Sequence, residues 1–153
     1  MGKLSINDKA PEFSGVDQNG NPVSLANYKG KKVVLYFYPK DDTPGCTAEA
    51  CDFRDNYAGL KSKGFEVIGV SVDSEKSHTK FVNKYNLPFT LIADPDKKMV
   101  EDYGVWVEKS MYGRTYMGTA RTTFIINEES VITHIIEKVD TKNSTQQVLD
   151  LVG

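Results

Sequence analysis

The sequence predicts a three-layer α/β sandwich built around a mixed β-sheet. Stretches that are apolar on both parities alternate with stretches of helical period, in a repeated strand, helix, strand order. A late pair of extended stretches, split by a short polar turn, adds antiparallel character to what would otherwise be a parallel sheet. The size agrees: 153 residues and 17.1 kDa correspond to one domain, expected over 1–153, long enough to bury a core.

Each element has a local cause. Segments 12–16 and 22–25 flank Asn19-Gly20, a strong short-range turn signal, so the chain opens on a β-hairpin extension. Lys32-Val33-Val34-Leu35-Tyr36-Phe37-Tyr38 is β-branched and aromatic on both parities, as a central strand buried on both faces requires. Pro39 ends it, and 40–45 is a turn-rich loop. Beyond the loop, Ala50, Phe53, Tyr57 and Leu60 recur at three- and four-residue steps, which predicts a helix closed by Gly64. Segment 65–72 is a second buried strand, 74–85 an amphipathic helix capped by Ser74, and 89–93 a third strand. A short helix is expected over 96–103. Segment 105–118 holds Trp106 and several other aromatics without a clean period, and is expected to be a functional loop. Segments 121–127 and 131–139, split by Glu128-Glu129-Ser130, form a hairpin, and 144–151 a terminal helix.

Composition narrows the function. Apolar residues at 39% together with 12 glycines exclude a disordered or fibrous chain. With 19 basic against 21 acidic side chains, the net charge of −2 supplies no field for phosphate backbones or anionic lipid, so neither nucleic acid nor a membrane is an expected partner. No apolar run approaches the ~18 residues of a membrane span, and the start of the chain lacks the apolar core of a secretory signal, which predicts a cytoplasmic protein. Gly2 is no myristoylation site, because Ile6 stands where Ser or Thr is needed. The sequon Asn143-Ser144-Thr145 is then without consequence. His78 and His134 lack zinc-site spacing, so no metal is expected, and His78 reads as an exposed helical residue. Asp41-Asp42 and Glu128-Glu129 read as solvated loop pairs. Trp106, Tyr112, Tyr116 and Met117 read as core packing in preference to a wall beside a site.

The two cysteines are too few for a disulfide scaffold, and in a reducing compartment they are either buried filler or chemically active. Cys46 stands where the loop after the first central strand enters a helix, within reach of the positive end of its dipole. It also stands at a strand's carboxyl end, where open α/β sheets place their sites. A free thiol with pKa near 8.5 is only about 3% thiolate at pH 7. Lowering that value by ~2.5 requires about 3.4 kcal/mol of preference for the anion, and a helix terminus supplies ~2 kcal/mol at most. A reactive Cys46 therefore demands a neighbouring cation. Cys51 lies five residues on, turned by about 140° and raised by about 7.5 Å, so the two Cα atoms are roughly 8.7 Å apart, beyond the ~7 Å a disulfide spans. The pair is either unrelated or linked by local unfolding.

Pro39-Lys40-Asp41-Asp42-Thr43-Pro44-Gly45-Cys46 resembles the peroxiredoxin signature. Its continuation, Thr47-Ala48-Glu49-Ala50-Cys51-Asp52-Phe53-Arg54-Asp55, is similar to the Q-type subfamily, also called bacterioferritin comigratory protein. The likeness extends to Tyr112-Gly113-Arg114 and to Arg121-Thr122-Thr123-Phe124-Ile125-Ile126, and so over nearly the whole chain. The resemblance implies a thioredoxin-like fold and a thiol peroxidase acting on hydrogen peroxide and organic hydroperoxides, with no cofactor. It implies that Cys46 is peroxidatic and Cys51 resolving, and that Arg121 supplies the cation, held by Glu49. Thr43 would accept from the peroxide and Pro39 would shield the sulfur. The implied reductant is thioredoxin or a similar dithiol. Similar Q-type proteins are often monomers, and nothing in these residues excludes a dimer. A disulfide oxidoreductase would instead need Cys-x-x-Cys, where this chain has four intervening residues. A binding module on the same fold would leave both thiols inert to peroxide.

Overall fold

The computed structural model describes residues 3–152; Gly2 lies outside them. Strands β1 (Ser14–Asp17) and β2 (Pro22–Ser24) form the expected hairpin about Asn19-Gly20, and a short 3-10 turn, Leu25–Tyr28, follows. The order continues with β3 (Lys32–Phe37), α1 (Pro44–Ser62), β4 (Phe65–Ser71), α2 (Glu75–Tyr85), β5 (Thr90–Ala93) and α3 (Lys98–Asp102). It ends with β6 (Trp106–Met111), β7 (Arg114–Thr119), β8 (Thr122–Ile126), β9 (Ile132–Ile136) and α4 (Ser144–Val152).

Seven strands form one sheet in the order β2-β1-β5-β4-β3-β8-β9. The β3, β4 and β5 strands run parallel, joined by α1 and α2, whereas β1, β8 and β9 are antiparallel to their neighbours. Period-two alternation along β3 explains why it is apolar throughout. Val33, Leu35 and Phe37 face a core shared with Ile68, Phe124 and Tyr103, while Val34, Tyr36 and Tyr38 face one shared with Phe53, Phe81 and Val148. Helices α1, α2 and α4 cover the second face, and α3 with the N-terminal segment covers the first, giving three layers.

Segment 105–118 is not a loop. It is a two-stranded ribbon, β6 with β7, that among the described residues pairs only with itself and turns at Tyr112 and Gly113, both left-handed with φ of 53° and 77°. Both faces of its outer half lie open, so no alternation of polar and apolar residues marks it. Three of the residues expected in the core are therefore exposed, Tyr112 at 97%, Met117 at 49% and Tyr116 at 44%. Trp106, at the ribbon's base, is half-buried and packs on the core.

Candidate active site

Helix α1 begins immediately after Thr43, whose backbone is extended with φ −101° and ψ 156°, and Pro44 occupies its first position, where a missing N–H costs nothing. Thr43 does not cap the helix with its side chain. Its hydroxyl donates to the Lys40 carbonyl at 2.9 Å, leaving the oxygen lone pairs free to accept. Cys46 thus sits in the first turn, where backbone N–H groups lack intrahelical partners and the dipole favours negative charge. Its side chain is 1% exposed and packs with Tyr36, Tyr38, Ala50 and Phe53 on the apolar stripe of α1. Cys51 is half-buried, and both thiols are free.

The cation required by a reactive thiol is present. Arg121 Nη2 donates to Cys46 Sγ at 3.3 Å, and Nη1 donates to Glu49 Oε1 at 2.9 Å. The planar, permanently charged guanidinium makes both contacts at once, one from each arm of its fork. Burial lowers the Arg121 guanidinium, but Cys46 and Glu49 beside it more than offset this and hold it above its ordinary value. Glu49, fully buried, takes a further hydrogen bond from Ser144 Oγ at 3.3 Å. Burial pushes its carboxyl from 4.5 up to about 7, against the lowering pull of Arg121 and Ser144.

Topology explains the meeting of residues 75 positions apart. In the antiparallel pairing of β3 with β8, Phe37 lies opposite Thr122, so Arg121 enters at the carboxyl end of β3, where the loop to α1 departs. Gly45 permits the approach: a Cβ there would meet Arg121 Nη2 at 3.2 Å. Pro39 stands half-buried two residues after the end of β3. Lys109 on β6 adds a second cation nearby. Burial and then the Arg121 charge push its ammonium below the ordinary value, and Cys46 opposes them.

Two expectations are corrected. His78 is wholly buried instead of exposed, because both ring nitrogens have partners, Asp41 Oδ2 at 2.7 Å and the Ile92 carbonyl at 2.9 Å. Asp41 is only 7% exposed and, unlike Asp42, is not a solvated loop residue. Sequence reading also missed Ser144, Lys109 and Gly45. Only Gly45, a glycine inside a helical turn, carries a local signal. Among the described residues no group of three or more His, Cys, Asp and Glu could hold a metal, and no helix is long and apolar enough to cross a membrane.

The model of the AhpC/TSA family matches residues 6–135. The chain belongs to this family. It is similar to a protein named putative peroxiredoxin bcp from Coxiella burnetii, 49% identical over 146 residues that cover 95% of this chain and 97% of that one. It is also similar to peroxiredoxin Bcp of Escherichia coli, 43% identical with 98% and 96% covered. Among solved structures, a cysteine-to-serine mutant of Xylella fastidiosa PrxQ superposes with a TM-score of 0.93 at 29% identity, covering 99% and 97%. One of Xanthomonas campestris peroxiredoxin Q superposes with 0.87 at 34%, covering 92% and 89%. The protein is a peroxiredoxin with the thioredoxin-like fold, a thiol-dependent peroxidase.

Proposed function

We propose that Cys46 is the thiolate that attacks peroxide, that Cys51 resolves the product, and that thioredoxin or a similar dithiol recycles the enzyme. The observation that carries this reading is Arg121, whose two arms bridge the Cys46 sulfur and the buried Glu49 carboxylate at 3.3 and 2.9 Å.

The thiolate attacks one oxygen of the peroxide and a sulfur–oxygen bond forms as the oxygen–oxygen bond breaks. The departing oxygen takes a proton to become water or an alcohol, and Cys46 is left as a sulfenic acid. Charge develops on the departing oxygen, where Arg121 and the first-turn amides are positioned to stabilise it. The free lone pairs of the Thr43 hydroxyl accept from the peroxide O–H and orient it. Glu49 fixes the guanidinium, and Pro39 screens the sulfur from water. The first turns of α1 then unwind, the Cys51 thiolate attacks the Cys46 sulfur, and the sulfur–oxygen bond breaks as the disulfide forms, the departing hydroxide taking up a proton to become water.

Its substrates are hydrogen peroxide and organic hydroperoxides. The comigratory protein of Xanthomonas campestris, 34% identical with a TM-score of 0.86, is described by its alkyl peroxide reduction activity, which supports the second class. The chain acts as one domain over 1–153 and as a monomer, in the cytoplasm, where dithiol donors are kept reduced. Cys46→Ser should abolish peroxide consumption with a dithiol donor, and one equivalent of peroxide should remove the mass of two hydrogens from the wild type, read by mass spectrometry. Retained turnover in Cys46→Ser overturns the assignment.

A further inference from the structure

The loop 40–43 carries Thr43 and leads into Cys46, and two consecutive aspartates fasten it to α2. Asp41 Oδ1 accepts from the Tyr38 hydroxyl at 2.5 Å, and its Oδ2 accepts from Ser77 Oγ at 2.8 Å and faces His78 Nδ1 at 2.7 Å. Its own N–H donates to Asp73 Oδ2 at 2.8 Å. Asp42 beside it is left-handed, with φ 56°, a strained conformation for a residue with a side chain. It is held there by Lys84 Nζ at 2.7 Å and the Tyr85 hydroxyl at 2.8 Å.

The His78 contacts fix their own chemistry. Its Nε2 lies 2.9 Å from the Ile92 carbonyl, an acceptor only, so Nε2 carries a hydrogen. At 2.7 Å, Nδ1 and the Asp41 oxygen must share one further proton, because two facing lone pairs would repel. The imidazole therefore ties the loop to α2 and, through Ile92, to β5. Neither Asp41 nor His78 hydrogen-bonds the sulfur, whose side-chain partner is Arg121, and Asp41 is held by buried side chains where the Thr43 hydroxyl reaches only the Lys40 carbonyl.

We propose that the buried Asp41–His78 pair positions the reaction loop and sets how readily the start of α1 unwinds. It thereby controls how oxidised Cys46 divides between two fates. This rests on the roles given above to Cys46 and Cys51. In one fate the sulfenic acid condenses with the Cys51 thiol, giving a disulfide and water. In the other it meets a second peroxide molecule before the helix opens, gaining an oxygen to become a sulfinic acid while that peroxide becomes water or an alcohol. A helix start anchored at its upstream end opens rarely and favours the second fate at high peroxide. A loosened one favours the disulfide, but holds Thr43 and Cys46 less well for the first attack.

The test uses the full chain, reduced, freed of reductant, mixed with increasing hydrogen peroxide, quenched with an alkylating agent and weighed by mass spectrometry. In His78→Leu the peroxide concentration giving half sulfinic acid rises at least about tenfold, the effect of losing one hydrogen bond to a charged group, and the first attack slows. His78→Asn, whose amide can donate from the Nδ1 position, moves back toward the wild type. Tyr38→Phe keeps the packed ring, removes one donor to Asp41 and shifts the partition in the same direction by less. A folded His78→Leu with the wild-type partition overturns the proposal. Should that variant not fold, Tyr38→Phe decides it by the same readout. A wild type that forms no Cys46–Cys51 disulfide overturns the cysteine roles and the proposal together, whereas a normal disulfide with unmoved variants overturns the proposal alone.

Discussion

Replacing Glu49 by Gln should abolish a pH dependence of stability that the wild type carries. The Glu49 side chain is fully buried, and burial raises its carboxyl from 4.5 to about 7 even with Arg121 Nη1 at 2.9 Å. That difference corresponds to about 3 kcal/mol, each pH unit being worth roughly 1.4 kcal/mol. The folded carboxyl holds its proton more tightly than the unfolded one, so the stabilisation is complete below 4.5 and is lost as pH rises through about 7. Glutamine resembles the protonated acid, and its amide oxygen can still accept from Arg121. Reduced wild type and Glu49→Gln should therefore have similar unfolding free energies at acid pH. Their difference should grow with pH to about 3 kcal/mol in favour of the variant, then level off. Urea denaturation at a series of pH values measures it, and parallel curves for the two proteins would refute the reasoning. The wild type keeps a carboxylate that costs stability because its charge orients the guanidinium. Peroxide attack should consequently slow in Glu49→Ala, which leaves Nη1 without its acceptor, more than in Glu49→Gln.

Arg121→Met removes the cation in contact with the sulfur and should slow the first reaction with peroxide by about 100-fold or more at neutral pH, the loss typical of a stabilising donor. Stopped-flow fluorescence of Trp106 can follow it, and a rate within tenfold of wild type would refute the role given to the contact. Gly45→Ala places a Cβ 3.2 Å from Arg121 Nη2, so the same rate should fall severalfold while thermal unfolding stays near the wild type; an unchanged rate would mean that the arginine yields freely. Cys51→Ser should leave the first turnover fast and let sulfinic acid accumulate on Cys46, read by mass spectrometry. A persistent sulfenic acid at high peroxide would argue against Cys51 as the resolving thiol.

The parts of the fold that bury a face were legible in the sequence. The β3 strand is apolar on both parities because both of its faces are covered, and α2 shows its Ser74 cap, whose hydroxyl accepts from the Ser77 N–H at 3.1 Å. The ribbon of β6 and β7 was not legible, since strands that face solvent on both sides satisfy no burial pattern. His78 failed for the opposite reason. A histidine among Lys76, Thr79 and Lys80 has polar neighbours in sequence, and its burial depends on Asp41 and Ile92, which approach from other elements. At the site, the chemistry of Cys46 demanded a cation but could not say which one. The resemblance supplied Arg121, whereas Ser144 and Lys109 had no counterpart in local pattern.

The sense of one strand accounts for the assembly of the site. Cys46 belongs to the crossover after β3, so its position is set by where β3 ends. A parallel neighbour in register would begin at the opposite edge of the sheet, far from the sulfur. Because β8 is antiparallel, its first residues lie beside the last residues of β3, Thr122 opposite Phe37, and the residue before the strand is free of the ladder and able to reach across to α1. Register is as strict as direction. The residues of β8 are buried, and a slip of one position would exchange Phe124 and Ile125 between the two cores they separately fill. The same core packing that fixes the sheet therefore also fixes the guanidinium to within a residue of the sulfur it serves. Substitutions that loosen the β3–β8 pair should consequently depress peroxide attack before they unfold the chain.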